Sequence, residues 1–234
     1  MPVATPPLTA TQIFLRAQAT WSERAQPRYE AFSVPCSVTY LASRCSPAVR
    51  IRFIVRLTDG RTYAETIASD AQPASVLLRG GYITGPAGAP LGFYRRAPDN
   101  SLPFTPPPNL AADPLRTIAT VTAVDYAYRV RLIGDETLGG VTTAHLTLAP
   151  LRKPDVYLLR DLWVAVDSDE VVRLVYEEPF GKSSARITYD FAPVGETAIW
   201  TIVHISAATS REAVSESLDD IEFPPSEPDS YFTH

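Results

Sequence analysis

Between residues 8 and 25 the apolar positions recur at three and four, with Ile13, Ala17 and Trp21 in line and Phe14 beside them. That spacing predicts one helix over residues 9–25 with a single apolar stripe. Thr9 and Gln12 stand three apart, as a capping box requires, and Leu8 and Ile13 flank them as a hydrophobic staple. Gln26-Pro27 ends the helix, because the residue before a proline is pushed out of helical geometry.

From Tyr29 the period changes to two. Val49, Ile51, Phe53, Val55 and Leu57 share one face of a strand, and Arg50, Arg52 and Arg56 share the other. Asp59-Gly60 marks a hairpin. A three-residue loop, Thr58 to Gly60, would set Val55 against Tyr63 and Ile51 against Ile67. That register is the one expected, since a one-residue slip turns every side chain to the opposite face. The arginine row reads as a solvated face.

Residues 71–115 break the pattern with nine prolines. A stretch this long without periodicity is a functional loop, a lid or a linker. The N-terminal side offers one helix and about three strands, too little for a core of its own. The reading is therefore one domain over 1–234 with a long proline-rich excursion.

Strands resume at 117 and continue to about 223. Residues 117–138 lead through Gly139-Gly140 into Val141–Leu148. Pairing outward from the turn spoils the apolar match unless one extra residue is inserted. A β-bulge at Gly134 restores Leu132 against Leu146 and Val130 against Leu148.

Tyr157–Asp167 is the least ordinary stretch. By alternation Leu158, Leu162, Val164 and Val166 point one way, and Tyr157, Leu159, Trp163 and Ala165 the other, so both faces are apolar. It hairpins through 167–171, with Val172, Leu174 and Tyr176 expected against Val166, Val164 and Leu162, and Arg160 near Glu178. Further strands follow at Arg186–Phe191, Ile199–Ile205 and roughly Glu212–Ile221, before Pro224-Pro225. The whole is mainly β, an antiparallel meander with short connections after an N-terminal helix.

Composition agrees with a folded chain: 45% of residues are hydrophobic and 20% charged, so a core forms and wholesale disorder is excluded. The 22 prolines point to loops and edge strands rather than helices. Net charge is −5, but seven acids and one base fall after residue 209, leaving 19 acids and 20 bases elsewhere. No basic stripe exists, so nucleic acid is not an expected partner. No apolar run reaches the ~20 residues of a membrane span. Met1–Pro7 carries neither the basic nor the apolar region of a signal peptide, so the chain is either cytoplasmic or one whose signal has been removed. Cys36 and Cys45 are too few for zinc and fit no redox spacing. A disulfide and two buried thiols both remain open, and the first would favour an extracytoplasmic home.

Catalytic chemistry is hard to assemble. His145, His204 and His234 have no metal-binding spacing, and neither a nucleophile elbow nor a phosphate loop is present. Gly80-Gly81 and Gly139-Gly140 are turn glycines without the helix that phosphate binding requires. The expectation is a protein that is not an enzyme and takes no cofactor or metal.

In its order of parts the chain resembles the LolA/LolB-like superfamily of bacterial lipoprotein carriers and sorting proteins. The parts are the N-terminal helix, Ala144–Pro150, Tyr157–Val164, Val171-Val172-Arg173-Leu174, and Ile187–Phe191 followed by Gly195 and Trp200. The resemblance implies an unclosed, curved, barrel-like sheet whose concave face is apolar and covered by the helix and the proline-rich loop. The carriers' lid is largely helical, whereas residues 71–115 hold too many prolines for long helices. A non-catalytic binder of acyl ligands, lipids or lipoproteins in the bacterial envelope follows from that likeness. The expected lining is Ile13, Ala17 and Trp21 from the helix, Phe53 and Val55 from the early strands, and Tyr128, Leu146, Leu162, Trp163, Val164 and Leu174 from the meander. The alternative is an envelope interaction or sensor module whose sheet is packed solid and whose edge or loops meet a protein.

Overall fold

The computed structural model describes residues 7–23, 27–35, 50–57, 61–67, 82–84, 121–152, 154, 157–180, 183–196, 198–210 and 213–232. Cys36, Cys45 and nearly all of the proline-rich excursion lie outside them. The elements are α1 (Ala10–Glu23), β1 (Tyr29–Pro35), β2 (Arg50–Arg56), β3 (Arg61–Ile67), β4 (Tyr82–Thr84), α2 (Val121–Ala127), β5 (Tyr128–Leu138) and β6 (Val141–Pro150). After them come β7 (Leu159–Ala165), β8 (Val171–Phe180), β9 (Ser183–Val194), β10 (Ile199–Ala208), β11 (Ala213–Ser217), β12 (Asp219–Glu222) and a 3-10 turn at Asp229–Tyr231. β5 to β11 form a seven-stranded antiparallel sheet in sequence order, unclosed, with β5 and β11 at its ends. A second sheet runs β12-β1-β2-β3-β4.

The chain divides into two compact units. The first comprises Met1–Arg24, Pro114–Phe191 and Ala208–Glu212, and the second Ala25–Asp113, Ala192–Ala207 and Ala213–His234.

In the first unit α1 begins where the capping box places it. Thr9 N–H donates to Gln12 Oε1 at 2.8 Å, and Gln12 N–H donates to Thr9 Oγ1 at 3.2 Å. Phe14, Ala17, Gln18 and Trp21 are buried on the side that packs against β5 and β7, while Ile13 is half-buried at the edge of the stripe. A strand was expected to start at 117, but residues 121–127 are helical. Among the described side chains there, Val124 and Ala127 are buried, followed by Tyr128 at the start of β5, a spacing of three and four that suits a helix turned against α1.

The β5–β6 register is the expected one, with Val130 opposite Leu148 and Leu132 opposite Leu146. The extra residue falls between Leu132 and Gly134, and Gly134 takes φ +153°. The β7–β8 register differs from expectation. Leu162 faces Leu174, Val164 faces Val171 and Leu159 faces Tyr176. Arg160 accordingly reaches Glu177, the residue before the expected partner Glu178, with Nε 3.0 Å from Oε2. Two irregularities cause this, one between Leu159 and Asp161 and one between Trp163 and Val164, where β8 carries the extra residue.

In the second unit the β2–β3 hairpin also slips from the expected register. Val55 faces Thr62, Ile51 faces Thr66 and Ile54 faces Tyr63. The expected pairing assumed that the arginine face of β2 was wet. Ile54 on that face is fully buried with Tyr29, Ala31, Tyr63 and Phe232, so apolar matching on the arginine side decides the register. The same slip sets Arg52 opposite Glu65. The strand expected over 212–221 is two strands, which part at Leu218: β11 stays beside β10, and β12 joins β1.

Candidate functional site

Pairing partners lie on the same face of a sheet, so the registers assign every side chain of the first unit. One face carries Leu146, Leu148, Leu162, Val164, Leu174, Tyr176, Ile187 and Tyr189, all buried. Leu159 joins them. The extra residue at Arg160 turns Leu159 away from the Asp161 and Trp163 side, where simple alternation would leave it. α1 lies on this face, where Trp21 meets Phe191 edge-on at 5.1 Å between ring centroids. Toward β5 the cover thins: Val130 is half-buried, and Leu132, opposite Leu146, is 44% exposed. The result is a continuous apolar surface that runs from beneath a helix to the edge strand of the sheet.

The opposite face is a polar ladder. Trp163 stacks on His145 at 4.0 Å and 13° and donates its Nε1–H to Glu136 Oε2 at 2.9 Å. His145 Nδ1 lies 2.8 Å from Glu136 Oε1, and its Nε2 lies 3.2 Å from Asp161 Oδ1. Arg186 reaches Asp161 at 2.5 Å, and Arg173, paired with Asp190, sits 5.7 Å over the Trp163 ring. The bulge before Gly134 makes this ladder, because it turns Glu136 onto the face of His145. Hydrogen bonds from Trp163 and then His145 hold the Glu136 carboxyl below the usual carboxylate range. Each ladder group is engaged by a neighbour, an arrangement that sets register and presents no unengaged nucleophile or base.

The expected lining residues are therefore not all in one place. Ile13, Ala17, Trp21, Leu146, Leu162, Val164 and Leu174 come together at one apolar face. Tyr128, also buried, accepts a hydrogen bond through its hydroxyl from Leu159 N–H at 3.2 Å. Trp163 belongs to the ladder on the other side of the same strand. Phe53 and Val55 belong to the second unit, on the face of β1 and β2 that also holds Phe32 and Ile51.

That second face contains a group the sequence did not single out. Glu30 is opposite Val55, two residues from Phe32, and only 7% exposed. Burial pushes its carboxyl up to about 7, and the hydroxyl of Thr201, which donates to Oε1, pulls it partly back. A lone Glu in an alternating strand reads as solvent-facing; only the pairing of β1 with β2 reveals it as buried.

No protein-family model matches the chain, and no curated protein is detectably similar to it. Among solved structures it is similar to a LolA superfamily protein from Nitrosomonas europaea, at 12% identity and a TM-score of 0.43, over 97% of this chain and 99% of that one. It is also similar to a domain from Vibrio parahaemolyticus assigned to outer membrane lipoprotein sorting, at 11% identity and a TM-score of 0.44, over 94% and 96% of the two chains. A third likeness is to a DUF1329 family protein from Desulfovibrio piger, at 14% identity and a TM-score of 0.39, over 96% of each chain. No helix among the described residues is long and apolar enough to cross a membrane.

Proposed function

We propose that this chain is a non-catalytic binder or carrier of acyl-chain ligands, lipids or acylated proteins, in the bacterial cell envelope. The observation that carries the proposal is the apolar face of the first unit, which passes from beneath α1 to an exposed Leu132 at the edge strand. An acyl chain laid along it needs no polar contact. Each buried methylene contributes ~0.8 kcal/mol, so about ten give ~8 kcal/mol, from which ordering costs are subtracted, and longer chains bind correspondingly tighter. Ile13 and Leu132 mark the rim, Ala17 and Trp21 the helix wall, and Leu146, Leu162, Val164 and Leu174 the floor. Phe53 and Val55, with the protonatable Glu30 beside them, form a separate apolar patch in the second unit. We take the chain as one domain, since each unit is assembled from three separate segments and neither is a continuous piece that could be cut out.

Titration with a fluorescent fatty acid tests the assignment. Leu132→Glu changes an exposed side chain, so stability should stay within about 0.5 kcal/mol while affinity falls by about tenfold. Unchanged affinity in that variant, or no binding by the parent chain, would contradict the proposal. A second reading, a protein-interaction module with a solid core, is favoured by the adjacent exposed side chains Leu132 and Ile133 on the edge strand. It predicts capture of a partner strand at β5 and no uptake of fatty acid.

A further inference from the structure

The arginine face of β1–β3 in the second unit is occupied by a segment nearly 170 residues further along the chain. β12 pairs with the edge of β1 through Ala31 with Glu222 and Ser33 with Asp219, with an irregularity between them. Arg50 Nη2 lies 2.5 Å from Asp219 Oδ2, Arg52 pairs with Glu222, and Ser33 Oγ–H donates to Asp220 Oδ2 at 2.7 Å. Farther on, Tyr231 stacks on Tyr63 at 4.0 Å and 5°, and Phe232 stacks on Tyr29 at 5.6 Å beneath the Arg56 guanidinium. Phe232 is fully buried.

These contacts are uneven. The acidic partners Asp219 and Glu222 are 51% and 54% exposed, and exposed pairs hold little. β12 has four residues, and Asp220 sits at φ +52°, a region that non-glycine residues seldom occupy. Attachment therefore rests on the aromatic anchors at 231 and 232, while the strand portion is a weak clasp joined to β11 through Leu218 alone. The recognition chemistry is explicit: two acids three residues apart, against two arginines, then an aromatic pair against two tyrosines.

We propose that the face formed by Arg50, Arg52, Arg56, Tyr29 and Tyr63 is an interaction surface, and that residues 219–232 are an exchangeable strap over it. The occupant that replaces the strap is the same segment of a second copy of this chain. That segment carries acids and aromatics that match the face, and exchange keeps every contact while changing only its donor. Leu218, where the chain leaves one sheet for the other, is the hinge.

Two full-length double variants test this. One carries Arg50→Glu with Arg52→Glu, and the other Asp219→Arg with Glu222→Arg. Each chain alone sets like charges between face and strap, whereas a strap-exchanged pair restores opposite charges at both faces. Native mass spectrometry and sedimentation of the mixture should show a one-to-one dimer at least about tenfold more abundant than any dimer of either variant alone. Adding Phe232→Ala to both chains should abolish it. A mixture that stays monomeric while both chains show β-sheet circular dichroism overturns the proposal, as does a mixed dimer indifferent to Phe232→Ala. Should either double variant fail to fold, a labelled peptide of residues 219–232 is titrated against the unmodified chain. Saturable binding that weakens when the peptide carries Phe232→Ala is then the expected result, and no binding overturns it.

Discussion

Glu30 is the residue whose environment departs furthest from what its identity predicts. Its carboxyl ionises near 7 in the folded chain, against an ordinary value of 4.5, because burial disfavours the charged form. Below pH 4.5 both folded and unfolded chains hold the proton, and its full contribution to stability is present. As pH rises toward 7 the unfolded chain releases the proton first, so stability falls, by up to about 3 kcal/mol, and levels off above. Glu30→Gln should flatten that decline and leave the variant more stable than the parent at pH 8, as urea unfolding across the pH range would show. Glu136 shifts the other way. Trp163→Phe removes the hydrogen bond that contributes most to holding its carboxyl low, so the Glu136 titration followed by NMR should move back toward the ordinary range. Neither environment was legible in the sequence. Glu30 looked like the polar half of an alternation, and Glu136, His145, Asp161 and Trp163 share no spacing that marks them as neighbours.

Elements were easier to read than their pairings. α1 was legible down to its capping box, because caps and 3.6-residue periodicity are local signals. The bulge before Gly134 was legible because an apolar mismatch demanded it. The hairpin into β8 was not, since two irregularities shift its register, and alternation along the sequence does not mark where an extra residue falls. Residues 121–127 illustrate the same limit: a helix of seven residues spans barely two turns, too few to betray its period. Two element-scale predictions follow from these contacts. Trp21→Ala, which strips α1 of its contact with Phe191, should cost about 3–5 kcal/mol in denaturant unfolding. Gly134→Ala meets no neighbouring atom but must adopt φ +153°, so it should cost about 1–3 kcal/mol through the backbone alone.

At the scale of the whole molecule, the mainly β character, the consecutive order of strands in the larger sheet and the helix at its start were all foreseen. The five-stranded sheet was not, because β12 and Phe232 join β1–β3 from the far end of the sequence and complete a core that three early strands could not build. The strand that looked apolar on both sides is resolved by one extra residue. Arg160 bulges, Leu159 turns to join Leu162 and Val164, and Trp163 is left to the ladder. One broad apolar face remains, and its occupation by an acyl chain is the central claim. Extraction of the purified chain with organic solvent, followed by lipid mass spectrometry, tests that claim most directly. Acyl lipid recovered in stoichiometric amount from the parent chain, and about tenfold less from Leu132→Glu, is the predicted result. A parent chain that yields no lipid, and acquires none when incubated with bacterial lipid vesicles, would contradict it.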